Sequence, residues 1–143
     1  MKILVVGGRG AGIVGKAAVK DLATQEDVSQ IVIGDLNIKK AETFSTIKKV
    51  TVRYIDILDK QALIEMMGSF DVVGNYVYWG YLYQITQAAI EARVSVADLG
   101  GMYYGTLKQM QLCASAKEVG ITVLSGCGSS PGISMPRERR GFT

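Results

Sequence analysis

The sequence predicts an α/β fold: a doubly wound, parallel, six-stranded sheet in the order 3-2-1-4-5-6 with helices on both faces. Three observations carry this expectation. Short apolar runs alternate with helix-period stretches along the chain. The strand runs are apolar continuously rather than at every second position, as expected where both faces of a sheet are covered. A glycine-rich segment joins the first strand to the first helix, in a chain that holds 17 glycines.

The elements follow in order. Residues 3–6 form the first strand and residues 7–12 a glycine loop. Residues 13–23 read as a helix with Val14, Ala18 and Leu22 on one face. The second strand, 31–33, closes at Gly34 and Asp35, and residues 37–47 read as a helix. Residues 50–55 are the third strand, closed by Asp56. Asp59 caps a helix running to Met67, because an N-cap aspartate accepts from orphan backbone N–H groups. The fourth strand begins at residues 70–73, followed by a helix over 81–92 and a fifth strand over 94–98. A helix over 104–119 ends at Gly120, a usual C′ residue, and residues 121–124 are the sixth strand. With no internal repeat or low-complexity linker, residues 1–134 read as one domain and 135–143 as a truncated or disordered tail.

Composition sets bounds. A chain of 143 residues is long enough for one ordinary domain, and 48 % apolar against 20 % charged residues is the balance of a globular protein in water. There is no histidine, which excludes a Ser-His-Asp hydrolase site or a His-ligated zinc centre within this chain; no metal is expected. Cys113 and Cys127 make no disulfide framework and read as free thiols in a reducing, cytoplasmic setting. The apolar run after Lys2 is too short for a signal-peptide core, and no run approaches membrane-spanning length. Of the +3 net charge, +2 sits in Arg137, Glu138, Arg139 and Arg140. Without a concentrated basic face, no nucleic-acid partner is expected.

The first strand runs into Gly7, Gly8, Arg9, Gly10, Ala11, Gly12, Ile13, Val14 and Gly15. Gly10, Gly12 and Gly15 match the spacing of the dinucleotide fingerprint of a Rossmann domain. Such glycines allow a tight turn, a backbone bare enough for a pyrophosphate, and close packing of helix on strand. The helix N-terminus then offers N–H groups and a positive dipole end. The match starts three residues later than usual, so the loop reads as stretched by about two residues. Asp35 follows Gly15 by 20 residues at the end of the second strand. A carboxylate there accepts ribose hydroxyls and repels a 2′-phosphate by roughly 1–4 kcal/mol in a wet site. NAD is therefore the first expectation, with NADP as the alternative because Lys39 and Lys40 lie close by. Asp35 as a plain turn former is the other reading. After the fourth strand come Tyr76, Tyr78, Trp79 and Tyr81, which suit a flat ring or, equally, packing against a second chain.

Together with the glycine loop at 7–15, Asp35 and the run Val96, Ala97, Asp98, Leu99, Gly100, the segment 125–134 after the sixth strand resembles the cofactor domain of the saccharopine dehydrogenase family. Gly128, Pro131 and Gly132 match that family's Gly-x-x-Pro-Gly turn, and the resemblance covers residues 1–134. It implies a nicotinamide-dependent oxidoreductase that joins, cleaves or oxidises amine and imine bonds on amino-acid skeletons. It further implies that Gly10 and Gly12 carry the pyrophosphate, Asp35 the ribose and Asp56 the adenine edge. Asn75 and Asp98 then take the nicotinamide side, with Leu36, Ile57 and Tyr76 as further contacts and Cys127 nearby. No acid–base catalyst is identified. The family continues into a second α/β domain, whereas this chain ends at Thr143, so it is expected to be silent alone and to self-associate. The rival reading is a stand-alone nucleotide-sensing regulatory module, like those that gate ion channels.

Overall fold

The computed structural model describes residues 1–7, 12–129 and 132. Six strands form one parallel sheet in the order β3-β2-β1-β4-β5-β6, as expected. They are β1 (Lys2–Gly7), β2 (Gln30–Asp35), β3 (Val50–Tyr54), β4 (Val72–Tyr76), β5 (Ser95–Asp98) and β6 (Val123–Leu124). The helices are α1 (Gly12–Thr24), α2 (Ile38–Ala41), α3 (Lys60–Met67), α4 (Leu82–Glu91), α5 (Tyr103–Met110) and α6 (Cys113–Val119).

Burial on both faces of the sheet explains the continuous apolar strands. Ile3 and Val5 pack with Val19, Val28, Ile31, Ile33 and Phe44 on one side. Leu4 and Val6 pack with Val32, Leu63, Met67, Val73 and Ile85 on the other. Each such side chain contributes about 1.5–3 kcal/mol when fully buried. β1 lies between β2 and β4, so the chain reverses its winding direction there, and the crevice outside β1 and β4 is the switch point.

Several expected boundaries move for visible reasons. The helix expected over 37–47 stops at Ala41 and tightens to a 3₁₀ turn over Glu42–Phe44. There Thr43 and Thr46 hydroxyls donate to the Lys40 and Thr43 carbonyls, competing with the helical ladder. The helix expected over 104–119 is two helices. The N–H groups of Gln111 and Leu112 donate to the Lys108 and Gln109 carbonyls three residues back, so the chain turns between α5 and α6. β4 starts two residues late because Ser69 and Phe70 still donate to Met66 and Met67 carbonyls. On α1 the buried stripe runs through Gly15 and Val19; Val14 is 52 % exposed rather than on the packed face. Two expectations hold in detail. Asp59 Oδ1 accepts from Ala62 N–H at 3.1 Å, and Gly120 ends α6 in the left-handed region with φ 75°. Among the described residues, no helix is long and apolar enough to cross a membrane. The tail at 135–143 lies outside the described residues.

Candidate functional site

The sheet's carboxyl edge is built by one repeated device. Asp35 Oδ1 accepts from Asn37 N–H (2.7 Å), Asp56 Oδ1 from Leu58 N–H (2.9 Å), Asn75 Oδ1 from Val77 N–H (3.0 Å) and Asp98 Oδ1 from Gly100 N–H (2.7 Å). At the ends of β2, β3, β4 and β5, a short acidic or amide side chain thus turns the chain by bonding two residues ahead. The four polar residues picked out of the sequence share this local role.

A cleft of about 510 Å³ opens at the switch point, lined among the described residues by Gly7, Leu36, Ile55, Asp56, Ile57, Leu58, Tyr76, Val77, Tyr78 and Tyr81. Its volume and mostly apolar walls suit a nucleoside-sized ligand. Five expected contacts meet here: Gly7, Leu36, Asp56, Ile57 and Tyr76. Two glycines shape its walls. A Cβ on Gly34 would stand 2.8 Å from Ile55 Cγ2, and one on Gly74 would stand 2.8 Å from a Tyr76 ring carbon. The ring of Tyr76 therefore folds over Gly74 because that residue has no side chain.

Other expected residues lie apart. Asp35 is fully buried at the end of β2, one residue before the cleft wall at Leu36. Gly12 is the first residue of α1, and Ile13 is 91 % exposed beside it. Gly8, Arg9, Gly10 and Ala11 lie outside the described residues, as do Ser130 and Pro131 of the Gly-x-x-Pro-Gly turn. The ends of that turn, Gly128 and Gly132, pair as a parallel bridge. Any Cβ on Gly132 would overlap the Gly128 backbone, so the position requires glycine.

Asn75 and Asp98 are neighbours in register across β4 and β5, and both are buried. Asn75 Nδ2 has no hydrogen-bond partner among the described residues, and leaving such a donor buried costs about 1–3 kcal/mol. An acceptor atom from a ligand would relieve that cost. Asp98 is the opposite case. Besides Gly100 N–H, it receives Ser125 Oγ (2.9 Å), Gly126 N–H (3.4 Å) and Gln109 Nε2 (2.5 Å). Gln109, Thr86 and Ser125 were not legible as site residues, since nothing in the sequence pairs them across 23 or 16 positions. Leu58 and Ile55 of the cleft carry no such signal either: unlike Leu36 and Ile57, neither directly follows a strand-end aspartate. Burial, and then the Cys127 thiol, raise the Tyr76 hydroxyl above its ordinary value. Burial, and then Asp98, raise the Cys127 thiol. The end of β4 therefore senses the charge of the segment after β6.

A parallel sheet in this doubly wound order, with a cleft at its switch point, defines a Rossmann-type nucleotide-binding domain. The chain belongs to the saccharopine dehydrogenase NADP-binding domain family, whose model matches residues 3–124. NAD(P) is accordingly the cofactor class of this domain. Among solved structures, it is similar to the apo saccharopine dehydrogenase (L-glutamate forming) of Saccharomyces cerevisiae, with TM-score 0.85 and 19 % identity over 98 % of this chain and 30 % of that one. It is also similar to GenD2 from gentamicin A biosynthesis in complex with NAD, with TM-score 0.67 and 21 % identity over 88 % of this chain and 34 % of that one. A third is the triphenylmethane reductase of Citrobacter sp. complexed with NADP(H), with TM-score 0.65 and 19 % identity over 86 % of this chain and 48 % of that one. The chain thus spans between 30 % and 48 % of the length of these structures.

Proposed function

We propose that this chain is the cofactor domain of an NAD(P)-dependent oxidoreductase acting on amine or imine bonds of amino-acid-type substrates, and that alone it binds the dinucleotide without turnover. One observation carries the reading: cofactor contacts picked from the ends of β1, β2, β3 and β4 converge on a single cleft at the switch point. In this reading Leu36, Ile57 and Leu58 hold the faces of the base, and Asp56 meets its edge. The N-terminus of α1 at Gly12 receives the pyrophosphate. Asn75 Nδ2 donates to an oxygen of the ligand, relieving its buried, unpartnered state. The bound dinucleotide supplies hydride transfer; the chain's own residues bind, orient and exclude water.

Calorimetric titration with NADH, NADPH, ADP-ribose and a cyclic dinucleotide tests this. NADH and ADP-ribose should bind, and Gly12→Val should weaken both by about tenfold or more with the circular dichroism spectrum unchanged. Binding of the cyclic dinucleotide alone, or an unaffected Gly12→Val variant, overturns the assignment. A companion proposal concerns the opposite flank. Met102, Tyr103, Tyr104, Leu107, Met110 and Leu124 are exposed around α5 and the edge strand β6. Apolar surface gathered in this way marks an interaction site, and a twofold pair is the commonest solution. Sedimentation at micromolar concentration should reveal dimers, and a clean monomer refutes the proposal.

A further inference from the structure

α5 inverts the usual order of burial. Tyr103, Tyr104, Leu107 and Met110 are exposed, and the buried side chain of this helix is Gln109. An amide placed there must find partners for its polar atoms. Nε2 donates to Thr86 Oγ1 on α4 (2.8 Å) and to Asp98 Oδ2 on β5 (2.5 Å), which uses both its hydrogens. The acceptor-only carboxylate fixes which way the amide faces. The Ser125 hydroxyl lies 2.9 Å from Asp98 Oδ1 and 3.2 Å from Gln109 Oε1. Its single hydrogen goes foremost to the nearer, charged acceptor.

The segment after β6 hangs from the same aspartate. Gly126 N–H reaches the Asp98 carboxylate, and Cys127 N–H donates to the Asp98 main-chain carbonyl at 2.8 Å. Asp98 therefore grips residues 125–127 through both its side chain and its backbone. The Cys127 thiol contributes, after burial, to the raised Tyr76 hydroxyl, and Tyr76 is a wall of the switch-point cleft.

We infer that Gln109 is a positioning residue: through Asp98 it fixes the segment at Ser125, Gly126 and Cys127, at the same carboxyl edge of the sheet that carries the nucleotide cleft. The consequence for binding rests on the dinucleotide reading above; the positioning itself does not. Removing the Gln109 donors frees one carboxylate oxygen, lets Asp98 rotate toward other donors, and slackens its hold on Ser125 and Gly126.

Cys127 reports on this directly. In a Cys113→Ser background it is the sole thiol, because the chain has two cysteines. The rate of its reaction with a disulfide reagent is measured in that background with Gln109→Leu, Ser125→Ala or Thr86→Val added, alongside NADH affinity and melting temperature. Gln109→Leu should change the Cys127 rate by about tenfold and weaken NADH several-fold, the size expected for losing a hydrogen bond to a charged group. Ser125→Ala should move both in the same direction. Thr86→Val leaves the Asp98 contact in place and should lower the melting temperature while moving the thiol rate by less than about twofold. If Gln109→Leu and Thr86→Val both lower the melting temperature and neither alters Cys127, Gln109 only fills space and the inference is wrong. If Gln109→Leu does not fold, Ser125→Ala decides alone, and an unchanged thiol rate overturns the inference. If the parent protein binds no NADH, the dinucleotide reading fails by itself while the thiol rates still test the positioning role.

Discussion

The two flanks of the sheet's carboxyl edge are built from the same turn and put to opposite uses. At β2, β3 and β4 the turn-forming side chains leave a cleft walled by Leu36, Ile55, Ile57, Leu58 and tyrosines. At β5 the turn-forming aspartate is enclosed, and it takes up donors from Gln109, Ser125 and Gly126 as well. One flank presents apolar surface to a cleft. The other spends its polar groups on its own chain and contributes shape. An aspartate at a strand end thus says little about function until its remaining hydrogen-bond partners are known.

The comparison breaks most readily at Asp98. Asp98→Ala takes the acceptor from the buried Gln109 amide and from the partly buried bonds of Ser125, Gly100 and Gly126, which should cost about 3 kcal/mol. Leu58→Ala on the open flank, at a side chain 71 % exposed, should cost within about 0.5 kcal/mol yet weaken NADH. Urea unfolding compares the two, and equal losses would erase the distinction between the flanks. A smaller effect sharpens the open flank. In the proposed reading the Asp35 carboxylate opposes a 2′-phosphate; Asp35→Ser removes that carboxylate while keeping an oxygen for the turn at Asn37. The ratio of NADH to NADPH affinity should shrink by about tenfold. An unchanged ratio in parallel titrations would place the ribose away from β2.

The open flank was far more legible in the sequence than the closed one. The sheet order, the glycine-rich segment before α1 and the polar residues ending β2, β3, β4 and β5 are local signals, each written within a few positions. Leu36, Asp56, Ile57 and Tyr76 follow from them once the strands are parallel and in that order. The closed flank depends on contacts distant in sequence. Thr86, Asp98, Gln109 and Ser125 become one unit only after α4, α5 and β6 have packed. The helix expected over 104–119 hides this, since a continuous helical period carries no sign that the i→i−4 ladder ends near Gln109. Val14 differs for a related reason: a helical period gives a stripe, but not which edge of the stripe meets the sheet.

The last and smallest effect tests whether the two flanks communicate. The Tyr76 hydroxyl on the open flank is raised by burial and then by Cys127; Cys127 on the closed flank is raised by burial and then by Asp98. Both groups are neutral when protonated, and folding favours that form. Their contribution to stability is therefore complete below the pKa values of the unfolded chain and is lost as pH rises through the higher folded-state values. The melting temperature should fall as the solution is taken from neutral into the alkaline range where thiols and then phenols ionise. Because Cys127 is exposed, solvent screens its charge and its share is modest. Cys127→Ser removes the first ionisation and, with it, a negative charge beside Tyr76. The alkaline decline in that variant should begin at higher pH, and the absorbance titration of Tyr76 should shift down toward the ordinary tyrosine value. A Tyr76 titration identical in the two proteins would mean that the flanks are electrostatically independent, and that burial alone holds the Tyr76 proton.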